Sequence, residues 1–319
     1  MAFRLVNSMD QNIPIIVCTS DNHYAMPLAV MLRSLSDRLT SYPTAAVYVL
    51  DGGISAWNRR KIQKSIRLPN LDIHWISPPV DRLEGVPVFE HPATLCTYYR
   101  LLIPSLLPDS VDKVIFLDTD MVVLTDIGAL WNEPVAEVLL MAVEEPNREN
   151  PAAIAHREGL GMQPDSKYFN AGVMVINLEL WRTEHIAEKA LDYIKRKREV
   201  VRWYDQDGMN AVLESRWKEL DNRWNWRVDP GEAGGGVQAC EGHARIVHYA
   251  SAVKPWHFYA KHPDCRIFFE YLDRTVWKGW RPRPPLRNTI GNRHWYGALM
   301  RKIPIVGTLW RTLANWRKT

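Results

Sequence analysis

The stretch "VDKVIFLDTDMVVLTDI" (residues 111–127) runs from an apolar segment, Val114, Ile115, Phe116 and Leu117, into three aspartates, Asp118, Asp120 and Asp126. Ionised carboxylates are rarely buried without a partner, because desolvating one costs several kcal/mol or more. If the strand continues through them, residues i and i+2 share a face, so Asp118 and Asp120 converge while Thr119 points away. Two hard oxygen donors at that separation fit a divalent cation.

Two other readings of the same residues stay open at this point. One is a strand-end turn in which aspartate caps the chain. The other is the first motif of haloacid-dehalogenase-like phosphatases, a hydrophobic run followed by Asp-x-Asp-x-Val.

Working outward, Val- and Ile-rich segments alternate with stretches of helical period: "IPIIVCTS" then 26–38, "AAVYVLDGG" then 55–66, "LDIHWISP" then 94–106, and then the quoted segment. Strand, helix, strand in that order implies right-handed crossovers and a mainly parallel sheet covered on both faces. In such α/β sheets ligands bind beyond the carboxyl ends of the strands. Downstream lie "VLLMAVEE" (138–145), "YFNAGVMVINL" (168–178), a helical stretch over 179–198, another near 206–215, and "ARIVHYAS" (244–251). The prolines of "WRPRPPLR" (280–287) disfavour continued helix and favour an extended linker. A boundary there divides the chain into a domain over 1–280 and a tail over 281–319.

The chain has 319 residues and is 46% hydrophobic, ample for a large core. Cys18, Cys96, Cys240 and Cys265 are widely spaced, with no C-x-x-C pair, which argues against structural zinc or a disulfide framework and fits a reducing compartment. No uncharged apolar run reaches the ~18–20 residues that span a bilayer, and the N-terminus lacks the apolar core of a secretion signal. The net charge of +4 is uneven. Residues 281–319 carry nine basic side chains and no acidic one, which leaves 1–280 at −5 and excludes an obvious nucleic-acid binder.

Five stretches, taken together in order and spacing, carry more than any one alone: "CTSDNHYAMPL" (18–28), "TYYRL" (97–101), "FLDTDMVV" (116–123), "YFNAGVMVINLELWR" (168–182) with "YDQDGMN" (204–210), and "VHYASAVKPWH" (247–257). Over roughly residues 14–258 the chain resembles the retaining glycosyltransferases of family 8, especially the lipopolysaccharide galactosyltransferase and general-stress types. That resemblance implies a GT-A fold, one Rossmann-like nucleotide-binding domain, and Mn²⁺ (or Mg²⁺) held against the diphosphate of a UDP-sugar by Asp118, Asp120 and His248. Mixed carboxylate and imidazole ligation suits Mn²⁺.

The resemblance also implies a uridine pocket at Thr19, Asp21, Asn22 and Tyr24, and donor-sugar contacts from Arg100, Asn170, Ala171 and Asp205. Thr119 and Ser251 fall on the donor side, and Lys254 brings its ammonium to the diphosphate. Gln206 falls beneath the anomeric carbon. Where the family has Asp after the following strand, this chain has "EEP", so Glu145 or Glu144 takes that place. Family members usually carry Gly between the His and the Lys; here Ala250 and Ser251 stand instead. Beside these motifs the phosphatase reading loses its support, since its motif follows the first strand and Met121 replaces its usual glycine.

The expected reaction is transfer of a hexose, glucose or galactose, to a saccharide acceptor such as lipopolysaccharide or another lipid-linked glycan. The anomeric configuration is retained. The rival from another class is a relative that binds nucleotide or membrane without catalysis. In the tail, Val306, Leu309, Trp310, Leu313 and Trp316 form an amphipathic stripe, with Trp295 and Tyr296 nearby. With its basic residues this predicts binding to an anionic membrane surface, and hence a peripheral protein on the cytoplasmic face.

Overall fold

A computed structural model describes residues 13–87, 95–146, 148–229, 231 and 242–284. The elements run β1 (Ile15–Ser20), α1 (Ala25–Arg38), β2 (Ala45–Asp51), α2 (Ala56–Ser65), β3 (Leu71–Ile76), a 3-10 helix (Leu95–Leu102) and α3 (Ile103–Leu106). Next come β4 (Lys113–Leu117), β5 (Met121–Val123), α4 (Gly128–Trp131), β6 (Leu140–Glu144), α5 (Pro151–Gly159) and β7 (Phe169–Asn177). The series ends with α6 (Leu178–Thr183), α7 (Ile186–Arg196), α8 (Tyr204–Val212), β8 (Lys218–Glu219), β9 (Trp226–Arg227), β10 (Ile246–His248) and α9 (Cys265–Leu272).

The seven-stranded main sheet has the order β3-β2-β1-β4-β7-β6-β8. β1 pairs in parallel with β2 and β4, while β7 runs antiparallel between β4 and β6. The sheet is therefore mainly parallel, as the alternating strand and helix signals predict. Its central strands, β1, β2, β4 and β7, are buried almost throughout because both faces are covered, while β3 and the short β8 at the two edges carry polar residues. Val17, Val114, Phe116 and Met174 meet Tyr98, Leu102, Trp181 and Ile194 on one side. Ile16, Ile115, Leu117 and Val175 meet Leu28, Met31, Leu32 and Leu35 of α1 on the other.

A second, three-stranded sheet, β5-β10-β9, explains where the quoted stretch departs from expectation. Residues 111–124 do not form one strand. β4 ends at Leu117 in the main sheet, and β5 begins at Met121 in the second, where it pairs antiparallel with β10. Asp118, Thr119 and Asp120 are the link between sheets, so the two carboxylates converge through a change of direction rather than through strand pleating. Their backbone is held on each side: Asp118 N–H donates to the Gly172 carbonyl at 2.9 Å, and the Asp120 carbonyl accepts from Tyr249 N–H at 3.0 Å.

Two helices also differ from expectation. The stretch 179–198 is broken at His185, whose left-handed φ of 54° ends α6 and redirects α7. The segment before β4 is largely 3-10; α3 starts only where Pro104 occupies its first turn, a position that needs no N–H partner.

Candidate functional site

The link 118–120 lies at the carboxyl end of β4, and β10 delivers His248 beside it, since His248 pairs with Met121. Carboxylate oxygens of Asp118 and Asp120 and a ring nitrogen of His248 all lie within 4.8 Å of one another. His248 Nε2 is 3.4 Å from Asp120 Oδ1 and 3.9 Å from Asp118 Oδ2. Two carboxylates and one imidazole nitrogen converging on a small space fit a divalent cation of the manganese or magnesium type.

Each aspartate turns its other oxygen to a cation of the protein. Arg100, carried by the 3-10 helix, donates to Asp118 Oδ1 at 2.9 Å. Lys254 donates to Asp120 Oδ2 at 2.6 Å. Burial opposes ionisation of Asp120, but the ammonium of Lys254 works against it and the carboxyl is held well below the ordinary range. Burial likewise works against the charge of Lys254, and Asp120 reverses the balance, so the ammonium stays protonated.

Arg100 reaches further than Asp118. Its Nε lies 2.9 Å from Asp205 Oδ2, its Nη1 donates to the Ala171 carbonyl at 2.5 Å, and its guanidinium lies 4.4 Å from the Phe116 ring centroid. Asp205 is buried, and desolvation pushes its carboxyl up to about 6 despite Arg100 and a 2.8 Å hydrogen bond from Thr97. The adjacent Gln206 accepts from Ala171 N–H at 3.0 Å, and its amide nitrogen donates to Tyr168 Oη at 3.4 Å.

Asn170 and Ala171 sit where β7 slips register against β6, so that Ala142 opposes Met174 while Val143 opposes Asn170. Within the shifted stretch, the Gly172 carbonyl accepts from Asp118 N–H, which sets this part of β7 beside the first aspartate. Asn170 donates to Glu145 Oε1 at 2.7 Å, and Glu145 forms an ion pair with Arg227. A cleft of about 870 Å³ opens beside them, lined among others by Glu144, Glu145, Arg148, Asn170, Trp226 and Arg227.

The first βα loop is built differently. Asp21 Oδ1 accepts from His23 and Tyr24 N–H groups at 2.9 and 3.1 Å, which shapes the entry to α1. Asn22 accepts from Ser55 N–H and the Asn58 amide, tying this loop to the start of α2. Thr19 is buried near the end of β1. Tyr24 meets the Trp256 ring edge to face at 5.6 Å, which brings the first loop against the segment carrying Lys254; burial pushes its phenol up to about 12. Ser251 donates to the Val253 carbonyl at 2.8 Å, within its own loop. Thr119 is buried, and Asp126, the last aspartate of the quoted stretch, is bound by Thr40, Ser41 and Gly128.

Two residues matter here that the sequence does not flag. Asn225 is buried and its Oδ1 lies 2.8 Å from His248 Nδ1. Gly172 makes room for the imidazole: a Cβ there would lie 2.4 Å from His248 Cε1. Nothing in "DNRWNWR" marks Asn225 as distinct from Asn222, since the contact depends on β9 running beside β10.

Residues 15–260 match the family model described as glycosyl transferase family 8. General stress protein A of Bacillus subtilis is 31% identical over 295 residues, covering 89% of this chain and 97% of that protein. Lipopolysaccharide 1,3-galactosyltransferase of Salmonella typhimurium is 28% identical over 62% of this chain and 59% of its own length. Among solved structures, galactosyltransferase LgtC, crystallised with donor and acceptor sugar analogs, superposes with a TM-score of 0.70 at 24% identity, covering 88% of this chain and 99% of LgtC. That superposition carries the GT-A fold. With a family match that spans both sheets and every strand that builds the carboxylate and imidazole cluster, the chain belongs to glycosyl transferase family 8.

Proposed function

We propose that this glycosyltransferase moves a hexose from a UDP-sugar to a saccharide acceptor, lipopolysaccharide or another lipid-linked glycan, with retention of configuration. The observation that carries the reading is the convergence of Asp118, Asp120 and His248 between two buried cations, Arg100 and Lys254. The triad would hold Mn²⁺, which when bound supplies positive charge where the leaving diphosphate develops negative charge. Lys254 adds a fixed ammonium on the same side.

Arg100 ties Asp118 to Asp205, so one residue orients both the triad and the start of α8. Gln206 is held at its oxygen by Ala171 N–H and at its amide nitrogen by Tyr168 Oη. An amide is a poor nucleophile, which favours same-face attack through an oxocarbenium-like ion pair over a covalent intermediate, with a leaving phosphate oxygen taking the acceptor's proton. Thr19, Asp21, Asn22 and Tyr24 would meet the nucleoside, and the cleft beside Glu145 has the volume and polarity for a saccharide.

The test is slow hydrolysis of a panel of UDP-sugars with Mn²⁺ and with EDTA. UDP-glucose or UDP-galactose is expected to turn over only with metal, and Asp120→Asn to abolish turnover in a folded protein. Full activity of Asp120→Asn in EDTA would remove the metal-dependent reading; no turnover of any donor would favour a binding protein.

A further inference from the structure

We propose that Asn225, itself oriented by Asn170, is a positioning residue: it fixes the imidazole of His248 in the Nδ1–H form, so that the Nε2 lone pair faces Asp118 and Asp120. The inference deepens the cation-site reading and rests on it for its purpose, while the tautomer can be read without any metal.

The argument starts at a donor that cannot be reversed. Gly172 backbone N–H lies 2.9 Å from the Asn170 side chain, so the atom facing it is the acceptor, Oδ1. The other end of the same amide faces Glu145 Oε1 at 2.7 Å, a carboxylate oxygen that accepts, and is therefore Nδ2. The backbone N–H of Gly172 alone sets the orientation of Asn170 without appeal to any titrating group, and the Glu145 carboxylate agrees with it. Asn225 meets that same Asn170 Oδ1 at 2.8 Å, so the atom it presents is its donor, Nδ2. Its remaining oxygen then points at His248 Nδ1, 2.8 Å away, and an oxygen there requires a proton on the ring nitrogen. In a neutral imidazole Nε2 is left with its lone pair, aimed at the carboxylates 3.4 and 3.9 Å away.

The polarity of this chain is hard to reverse. Asn170, Asn225 and His248 are 7, 3 and 2% exposed, so water has little room to replace a mismatched partner. Flipping Asn170 sets like against like at Gly172, Glu145 and Asn225, flipping Asn225 sets its oxygen against Asn170 Oδ1, and each unmet buried group destabilises the arrangement. The Arg227–Glu145 ion pair anchors the far end beside the large cleft. Gly172 contributes twice, since its N–H begins the chain and its missing Cβ admits the ring that ends it. Partners of this kind set the tautomer and basicity of a ligating histidine.

The experiment uses the full chain labelled with ¹⁵N-histidine, at a pH where the ring is neutral and without metal. Two-bond proton–nitrogen correlations, with His248→Gln assigning the signal, are expected to show a protonated Nδ1 and a bare Nε2. Asn225→Leu is expected to yield a mixed or Nε2–H population and to weaken Mn²⁺ binding, read by electron paramagnetic resonance of the free ion, by about tenfold or more. Asn225→Asp keeps an oxygen toward Nδ1 and is expected to retain the native tautomer. An Nε2–H form in the unaltered protein overturns the assignment whatever the variants do, as does an Asn225→Leu protein with unchanged tautomer. If the tautomer is as assigned but Mn²⁺ fails to bind in an Asp118-dependent manner, the positioning role stands and the metal reading fails instead.

Discussion

Lys254 Nζ lies 2.6 Å from Asp120 Oδ2 and 2.8 Å from the Tyr249 carbonyl, a buried ammonium held against a carboxylate that also belongs to the cluster of Asp118, Asp120 and His248. It therefore draws on negative charge that a divalent cation would use, and a cation added to the same carboxylate raises the cost of keeping the ammonium buried. A diphosphate arriving with the metal would supply the missing anion. Lys254→Met is expected to tighten binding of Mn²⁺ alone, while weakening UDP binding in the presence of Mn²⁺ by about tenfold or more, a typical size for coupled sites. Titration calorimetry of both ligands checks the pair of opposite signs; a loss of affinity for both would mean that Lys254 supports the metal site instead.

Gly172→Ala tests the packing of the imidazole. The added methyl would sit 2.4 Å from His248 Cε1 and 2.9 Å from Asn170 Oδ1, so one of them must move. Overpacking of this kind costs about 1–3 kcal/mol. Thermal unfolding is expected to show that modest loss, and Mn²⁺ affinity to fall far more than stability. Native metal affinity in the Gly172→Ala protein would show that the ring tolerates displacement.

How much of this was legible beforehand differs between fold and site. The sheet was, because β1, β2 and β4 are apolar runs separated by helical periods, and burial on both faces leaves no other use for such runs. The pair Asp118 and Asp120 was legible as a pair, but not the cause of its convergence. Short β5, three residues long, reads as a continuation of β4, and only its pairing with β10 reveals the change of sheet. Arg100 and Lys254 were legible as site residues by resemblance; that each holds one oxygen of one aspartate depends on elements far apart in sequence. Asn225 was invisible for the same reason, lying on a turn whose partners are 23 and 55 residues away.

Asp205 predicts a pH dependence of stability. Burial raises its carboxyl to about 6 in the folded protein, against 3.8 as the ordinary value, so the folded state holds a proton that the unfolded state releases earlier. Stability from this group is undiminished below pH 3.8 and falls as pH rises through about 6, by on the order of 3 kcal/mol. Asp205→Asn has no such group. Urea unfolding at intervals across that window is expected to show a downward slope in the native chain that flattens in the variant; identical slopes would assign the proton elsewhere.

Gln206 tests the stereochemical course. Its carbonyl is held by Ala171 N–H and its amide by Tyr168, so the side chain is placed rather than mobile. Gln206→Ala is expected to slow transfer by about 10²-fold or more, the scale seen when an aligned polar group near a reacting centre is removed, with UDP binding little changed. Proton NMR of the product from an α-linked donor is expected to show an α-anomer. A β-linked product would contradict retention and, with it, the same-face route.

The tail supplies the last prediction, and its residues beyond 284 lie outside those described, so the argument is from sequence. Val306, Leu309, Trp310, Leu313 and Trp316 recur at helical spacing, with Arg311 and Lys318 off the stripe. So short a helix is marginal in water by itself. An anionic bilayer adds burial of the stripe, interfacial seats for Trp295, Tyr296, Trp310 and Trp316, and about 1 kcal/mol for each nearby Lys or Arg. None of the described helices is long and apolar enough to cross a membrane. Truncation after Trp280 is expected to release the protein from vesicles containing anionic lipid in a flotation assay, while UDP-sugar hydrolysis persists. Binding of the full chain should weaken steeply as salt is raised, because the attraction acts over roughly 10 Å at 0.1 M salt. A full-length chain that ignores such vesicles at low salt would assign the basic tail to a different partner.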